Sequence, residues 1–262
     1  MTAAQVRWEE QGHVGRIVLN RPERLNALGE AMLEELGAIV EAAGRRPREI
    51  RVVLVEGAGR AFCAGADLKE RLALTDRETI LRGVGRIKAV CGALARLPQP
   101  TIAAMGGLAL GGGLELALSC DFRFAVRDAL LGLTETSLGI IPGAGGTQRL
   151  ARLIGPARAK ELILTARKIT AEQAYAWGIV NGIAEDGEEL SERCALLTAE
   201  LLAVAPLAVA KAKAAIDRGL NADLGTGMAI EAEAYAALIG TKDRLEALEA
   251  FRAKRPPRFT GE

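Results

Sequence analysis

The sequence predicts an α/β fold in which short strands and helices interleave through the first part of the chain and helices dominate after Gly155-Pro156. Three observations carry this expectation. Runs rich in β-branched residues, such as Ile50 to Val55, mark buried strands, while Leu28, Met32, Leu33, Leu36, Ile39 and Val40 recur at helical spacing. Glycine and proline punctuate the runs, and no sustained heptad or low-complexity linker divides the chain. With 262 residues, 50% of them apolar, the chain can bury the core of one large domain or two modest ones.

Val6 to Glu9 and Val14 to Leu19 read as a hairpin around Gln11-Gly12, and the first helix follows Asn26 and stops at Gly44. The strand Ile50 to Val55 ends at Glu56-Gly57. The chain then runs through small residues, Gly57 to Gly65, into a short helix near Asp67, at whose start the Ala66 N–H would point outward. Ile80 to Leu97 reads as a helix, closed by Pro98 and Pro100 before a strand from Thr101 to Met105. Two strands, Phe122 to Val126 and Ala129 to Gly132, flank Arg127-Asp128. Helices are expected over Ala157 to Thr165, Ala171 to Trp177, Leu190 to Ala203, Pro206 to Ile216, Leu224 to Ile239 and Arg244 to Ala253, with a short strand near Ile179 to Ala184. Arg252, Lys254, Arg255 and Arg258 make a basic cluster that also reads as a solvated tail.

The stretch from Gly106 to Leu118 concentrates the chemistry. Three glycines, Gly111 to Gly113, open an apolar run that reads as a helix directly after the Thr101 strand, so bare N–H groups would face whatever lies against them. Glu115 sits one turn inside, between leucines, where an ionisable group is costly without a partner or a task. Glu135, twenty positions on, closes a second strand-to-loop passage, again among apolar neighbours. Two such carboxylates suit a division of acid and base roles. The competing readings are a tightly packed turn with an outward-facing Glu115 and a solvated Glu135.

Composition excludes several function classes. Formal charge is +1, which provides no global field for nucleic acid or an anionic membrane, and no apolar run is long enough to span a bilayer. The N-terminus lacks signal-peptide features, so a cytoplasmic protein is expected. Cys63, Cys91, Cys120 and Cys194 form no CxxC pair and are expected to be reduced core residues. The single histidine, His13, reads as a surface turn residue. With no GxSxG, HExxH or GxxxxGK[ST], carboxylates are the expected carriers of any acid–base chemistry, and no metal site is expected.

Ala61 to Lys69, Gly106 to Asp121 and Glu135 to Arg149 resemble the three signature segments of the crotonase (enoyl-CoA hydratase/isomerase) family. Asn20-Arg21-Pro22, Leu25 to Leu28 and Arg255 to Phe259 also resemble it, and the match covers essentially the whole chain in the family's order. The resemblance implies a spiral core of strand-strand-helix turns over residues 1–200. It implies a C-terminal helical oligomerisation region over 201–262 that makes trimers, commonly paired into hexamers. It also implies an acyl-CoA thioester as substrate, with no separate cofactor. By position, the N–H groups of Ala66 and Gly112 would form the oxyanion hole. Ala64, Ala66 and Leu68 would lie along the adenine and Arg24 near the CoA entrance, with Ala27, Asp67, Lys69, Leu108, Gly111 and Leu138 also on the substrate. Glu115 matches the glutamate that deprotonates water and Glu135 the one that exchanges the Cα proton, as in hydratases of fatty acid β-oxidation. Thr134 replaces a proline that often precedes the second glutamate, a departure shared with methylglutaconyl-type hydratases, which opens the acyl preference. An isomerase using Glu135 alone, and an RNA-binding hydratase homologue, are the alternatives. The acidic first helix, with Glu30, Glu34 and Glu35, argues against RNA.

Overall fold

The computed structural model describes residues 4–72 and 75–262, and in it the chain deals its strands alternately into two sheets. β1 (Val6–Gln11) and β2 (Val14–Leu19) form the expected antiparallel hairpin, and α1 (Glu30–Gly44) returns across it. β3 (Val52–Gly57) joins β2 in parallel, whereas β4 (Ala61–Cys63) starts the second sheet. The short α2 (Leu68–Leu72) and the long α3 (Arg77–Ala95) follow, α3 being capped by the Asp76 carboxylate, which accepts the Thr79 N–H at 2.8 Å.

The next turn repeats the pattern. β5 (Thr101–Met105) enters the first sheet, β6 (Leu108–Leu110) the second, and α4 (Gly112–Ala117) closes the turn. β7 (Phe122–Val126) and β8 (Leu130–Gly132) do so again, before α5 (Gly146–Ile154) and α6 (Pro156–Leu164). β9 (Ile169–Thr170) adds antiparallel to β8, α7 (Ala171–Ala176) follows it, and β10 (Gly182–Ala184) completes the first sheet beside β7. The resulting orders are β1-β2-β3-β5-β7-β10 and β4-β6-β8-β9. This is the strand-strand-helix spiral the resemblance implied. Its core, including Ile17, Met32, Phe62, Ile102, Leu114 and Leu131, is fully buried.

Two expectations needed correction. The glycine stretch does not pass from strand to helix: Leu108–Leu110 forms a strand between them, paired with β4 and β8. The small-residue run after β3 likewise contains β4. Three-residue strands show no periodicity of their own and exist because distant partners supply their hydrogen bonds.

The last elements are α8 (Gly187–Leu202), α9 (Pro206–Gly219), α10 (Leu224–Ala236) and α11 (Lys242–Ala253). Lys213 on α9 pairs with Asp121 at 2.7 Å and donates to the Gln99 carbonyl at 3.0 Å, which fastens α9 to the ends of β5 and β7. The basic cluster of Arg252, Lys254, Arg255 and Arg258 is exposed, and the chain is anchored beyond it. The buried Asp243 carboxylate accepts the N–H groups of Thr260 at 2.7 Å and Gly261 at 2.9 Å, and Arg255 pairs with Glu246. No single helix among the described residues is long and apolar enough to cross a membrane.

Candidate active site

Asn26 organises the approach to the site. Leu25 and Asn26 both take positive φ, 52° and 55°, a strained state for side-chain-bearing residues. The wholly buried Asn26 side chain offsets that strain: its amide donates to the carbonyls of Ala58, Ala61 and Phe62, and its oxygen accepts the Arg21 N–H at 2.9 Å. Ala27 and Leu28 are thereby laid against the segment after β4. The Leu28 N–H donates to the Gly65 carbonyl at 2.7 Å, and the Asp67 N–H to the Leu28 carbonyl at 3.1 Å. Between those bonds lies the Ala66 N–H, which has no acceptor among the described residues.

Gly65 reaches this point with φ +95°, and a Cβ there would meet the Leu110 carbonyl oxygen at 2.7 Å. That close approach brings the Gly65-Ala66 backbone to the start of α4. A methyl group on Gly112 would lie 3.7 Å from the Ala66 nitrogen, so the two amides border one gap. The Gly112 N–H, first in its helix, also finds no acceptor among the described residues.

Glu115 does not face outward; its residue is 3% exposed. One carboxylate oxygen accepts the N–H groups of Ala144 and Gly146, each at 2.7 Å. Burial raises its pKa, opposed by those two amides and by the charges of Arg149 and Arg71. Glu135 opens a 3-10 turn, Glu135–Leu138, directly after β8 and Leu133-Thr134. Its Oε1 would lie 3.1 Å from a Cβ on Gly111, and the Gly111 carbonyl accepts the Glu115 N–H at 3.0 Å, so both carboxylates gather around the first turn of α4. The Glu135 Oε2 is buried without a hydrogen-bond partner among the described residues. Burial pushes the Glu135 pKa up to about 7, and the nearby Glu115 charge adds to the rise. The solvated reading of Glu135 is therefore set aside.

The remaining expected residues divide. Ala64 is half-buried and its N–H is held by the Leu25 carbonyl; Ala27 is buried and its carbonyl accepts from Arg21. Leu68 at 51% and Leu138 at 54% are exposed, as are Arg24 and Lys69. Leu108 begins β6 opposite Ala61, and Gly111 takes φ +51° at the turn into α4. Asp67 is held from within the chain. It is 6% exposed, pairs with Arg21 at 3.1 Å and caps α2 through the Lys69 N–H at 3.0 Å, so its carboxylate secures the loop carrying Ala66. All four cysteines are buried and free, and His13 is exposed at its turn. Sequence reasoning missed the two amides that hold Glu115. The signal was Gly143 to Gly146, which fails as a dinucleotide motif but leaves small residues with accessible backbone.

The sequence profile described as enoyl-CoA hydratase/isomerase matches residues 9–262. The chain belongs to the enoyl-CoA hydratase/isomerase family. Enoyl-CoA hydratase domain-containing protein 2 of Bos taurus is 49% identical over 255 residues, covering 95% of this chain and 85% of that protein. The methylglutaconyl-CoA hydratase of Rattus norvegicus is 47% identical, covering 98% of this chain and 83% of that one. Among solved structures, the enoyl-CoA hydratase from Bacillus anthracis superposes with a TM-score of 0.95 at 47% identity, over 98% of this chain and 100% of that one. The sequence similarity therefore extends over most of each of these relatives, and the shared fold is seen in the bacterial structure.

Proposed function

We propose that this chain is an enoyl-CoA hydratase, adding water reversibly across the 2,3 double bond of a 2-enoyl-CoA thioester. The observation that carries the reading is the pairing of Glu115 with Glu135, whose buried Oε2 lacks a partner among the described residues, beside two backbone amides likewise free. A buried oxygen with no hydrogen bond is costly unless a ligand or water meets it.

The thioester carbonyl would accept from the Ala66 and Gly112 N–H groups. These donors favour the enolate-like charge that develops as water attacks Cβ, an effect worth about 3 kcal/mol per donor. Glu115, with one oxygen fixed by Ala144 and Gly146, presents the other to water and takes its proton. Glu135, held near neutrality, carries the proton delivered to Cα. Dehydration reverses both roles. Coenzyme A belongs to the substrate, and the chemistry calls for no metal or redox group.

Self-association through residues 201–262, separate from the spiral core of residues 1–200, is part of the same reading. Leu220, Leu224, Tyr235 and Phe251 stand 68–84% exposed on and beside α9 to α11, apolar surface of the kind that a neighbouring subunit covers. The test is a panel of purified 2-enoyl-CoA esters, from crotonyl to 3-methylglutaconyl, with the product separated and identified. Formation of 3-hydroxyacyl-CoA supports the reading; a shifted alkene as sole product replaces it with isomerisation by Glu135.

A further inference from the structure

Arg71 stands at this site without a side-chain partner among the described residues. α2 begins two residues after Ala66, and Asp67 determines which face of it points inward, being buried and paired with Arg21. The Arg71 N–H donates to the Asp67 carbonyl at 3.1 Å, and residues four apart share a helix face. Arg71 therefore follows Asp67 on the inward face. It is half-buried, whereas Leu68, Lys69, Glu70 and Leu72 are exposed. Its positive charge reaches both Glu115 and Glu135.

Yet among the described residues Arg71 makes no ion pair and donates no side-chain hydrogen bond. Nearby arginines are engaged: Arg21 with Asp67, Arg86 with Glu30, and Arg149 with the Ala144 carbonyl. A half-buried arginine with no anionic partner among the described residues is free to take an anion from a ligand. Its planar fork of donors suits a carboxylate.

We propose that Arg71 recognises a carboxylate at the far end of the substrate's acyl chain, which makes the preferred substrate class an acidic 2-enoyl-CoA such as a glutaconyl thioester. The acid–base pair works on Cα and Cβ, so an anion near that pair belongs to the acyl side; the phosphates of CoA lie a whole pantetheine arm away. In a glutaconyl chain the carboxylate sits two carbons beyond Cβ. The assignment rests on the hydratase reading for its orientation, and the relative named as a methylglutaconyl-CoA hydratase is consistent with it.

The test compares matched ligands within each variant, so that any loss of folded protein cancels. For the wild type, Arg71→Met and Arg71→Lys, the ratio of kcat/KM for glutaconyl-CoA to that for crotonyl-CoA is measured. The affinity ratio of two unreactive esters, glutaryl-CoA and butyryl-CoA, is measured by calorimetry alongside. In Arg71→Met both ratios fall about 10- to 100-fold, the size of a lost charged hydrogen bond, and Arg71→Lys restores part of the loss. Ratios unchanged in Arg71→Met overturn the proposal, as they do if Arg71 binds a CoA phosphate. A wild type that hydrates neither ester but loses its glutaryl preference in Arg71→Met would refute the hydratase reading and leave the carboxylate site standing.

Discussion

Replacing Glu135 with glutamine keeps the side chain's shape and removes its charge, which separates the chemical value of this residue from its cost to the fold. Burial, with the Glu115 charge adding to it, moves the Glu135 pKa from 4.5 to about 7. At about 1.4 kcal/mol per tenfold change in acidity, ionised Glu135 costs the fold up to about 3 kcal/mol. Glu135 is only half-buried, so solvent screens part of this, leaving about 1–3 kcal/mol. The direction with pH follows from the raised value. Below pH 4.5 the carboxyl is neutral in both the folded and the unfolded chain, so it contributes no difference. Between 4.5 and about 7 only the unfolded chain ionises, and wild-type stability falls as pH rises; above about 7 the full cost is present. Glu135→Gln lacks this term and also relieves Glu115 of a neighbouring charge. Its melting temperature should gain on the wild type by about 2–10 °C between roughly pH 5 and pH 8.5. Its hydration rate should drop at least about 10³-fold because an amide cannot deliver the proton, while saturated acyl-CoA affinity stays within a few-fold. Calorimetric melts of both proteins across pH, paired with a hydration assay, provide the check. A melting difference constant across that range would refute the buried-acid account, and a variant retaining most of its kcat would refute the role.

Two further outcomes follow from geometry. A Cβ on Gly112 meets only ordinary contacts, Leu28 at 3.6 Å and the Ala66 nitrogen at 3.7 Å, so Gly112→Ala should fold normally while filling the gap between the two amides. Its kcat should fall about 10²- to 10³-fold, with an enolate-mimicking CoA thioester losing more affinity than a saturated one. Equal losses for the two ligands would mean the glycine serves packing alone. Gly113→Ala differs because its Cβ would lie 2.2 Å from the Cys63 carbonyl oxygen, and it should lose melting temperature first. Deleting residues 221–262 removes α10, α11 and the Asp243 anchor; light scattering should find a smaller or aggregated species, and a soluble, active wild-type-sized oligomer would contradict assembly through this region.

Much of the spiral was legible because its longer elements carry periodicity: α1, α3 and the strands of the first sheet follow from Leu28 to Val40, Ile80 to Leu97 and the β-branched runs. β4 and β6 were not, since Ala61–Cys63 and Leu108–Leu110 owe their extension to each other rather than to local preference. α5 was missed for a related reason, opening on Gly146 after a glycine at φ +111° with no side-chain cap to announce it. At the site, Glu115 and Glu135 stood out as carboxylates among apolar neighbours. The amides of Ala144 and Gly146 did not, because a backbone donor has no letter in the sequence. Asp67 stood out by its place in a motif, and only the fold reveals Arg21, forty-six positions away in sequence, at 3.1 Å. Arg71 was invisible by the same logic, since what distinguishes it is a side-chain partner it lacks among the described residues.

The central claim is that water adds across the double bond while Glu115 and Glu135 move one proton each. Incubating the protein with crotonyl-CoA and with glutaconyl-CoA in oxygen-18-labelled deuterium oxide, then reading the product by mass spectrometry and NMR, tests this most directly. The account predicts a 3-hydroxyacyl-CoA carrying one oxygen-18 at C3 and one deuterium at C2, formed at least about 10³-fold more slowly by Glu135→Gln. A product with the double bond shifted and no oxygen-18, or doubly labelled product formed by Glu135→Gln near the wild-type rate, would contradict it.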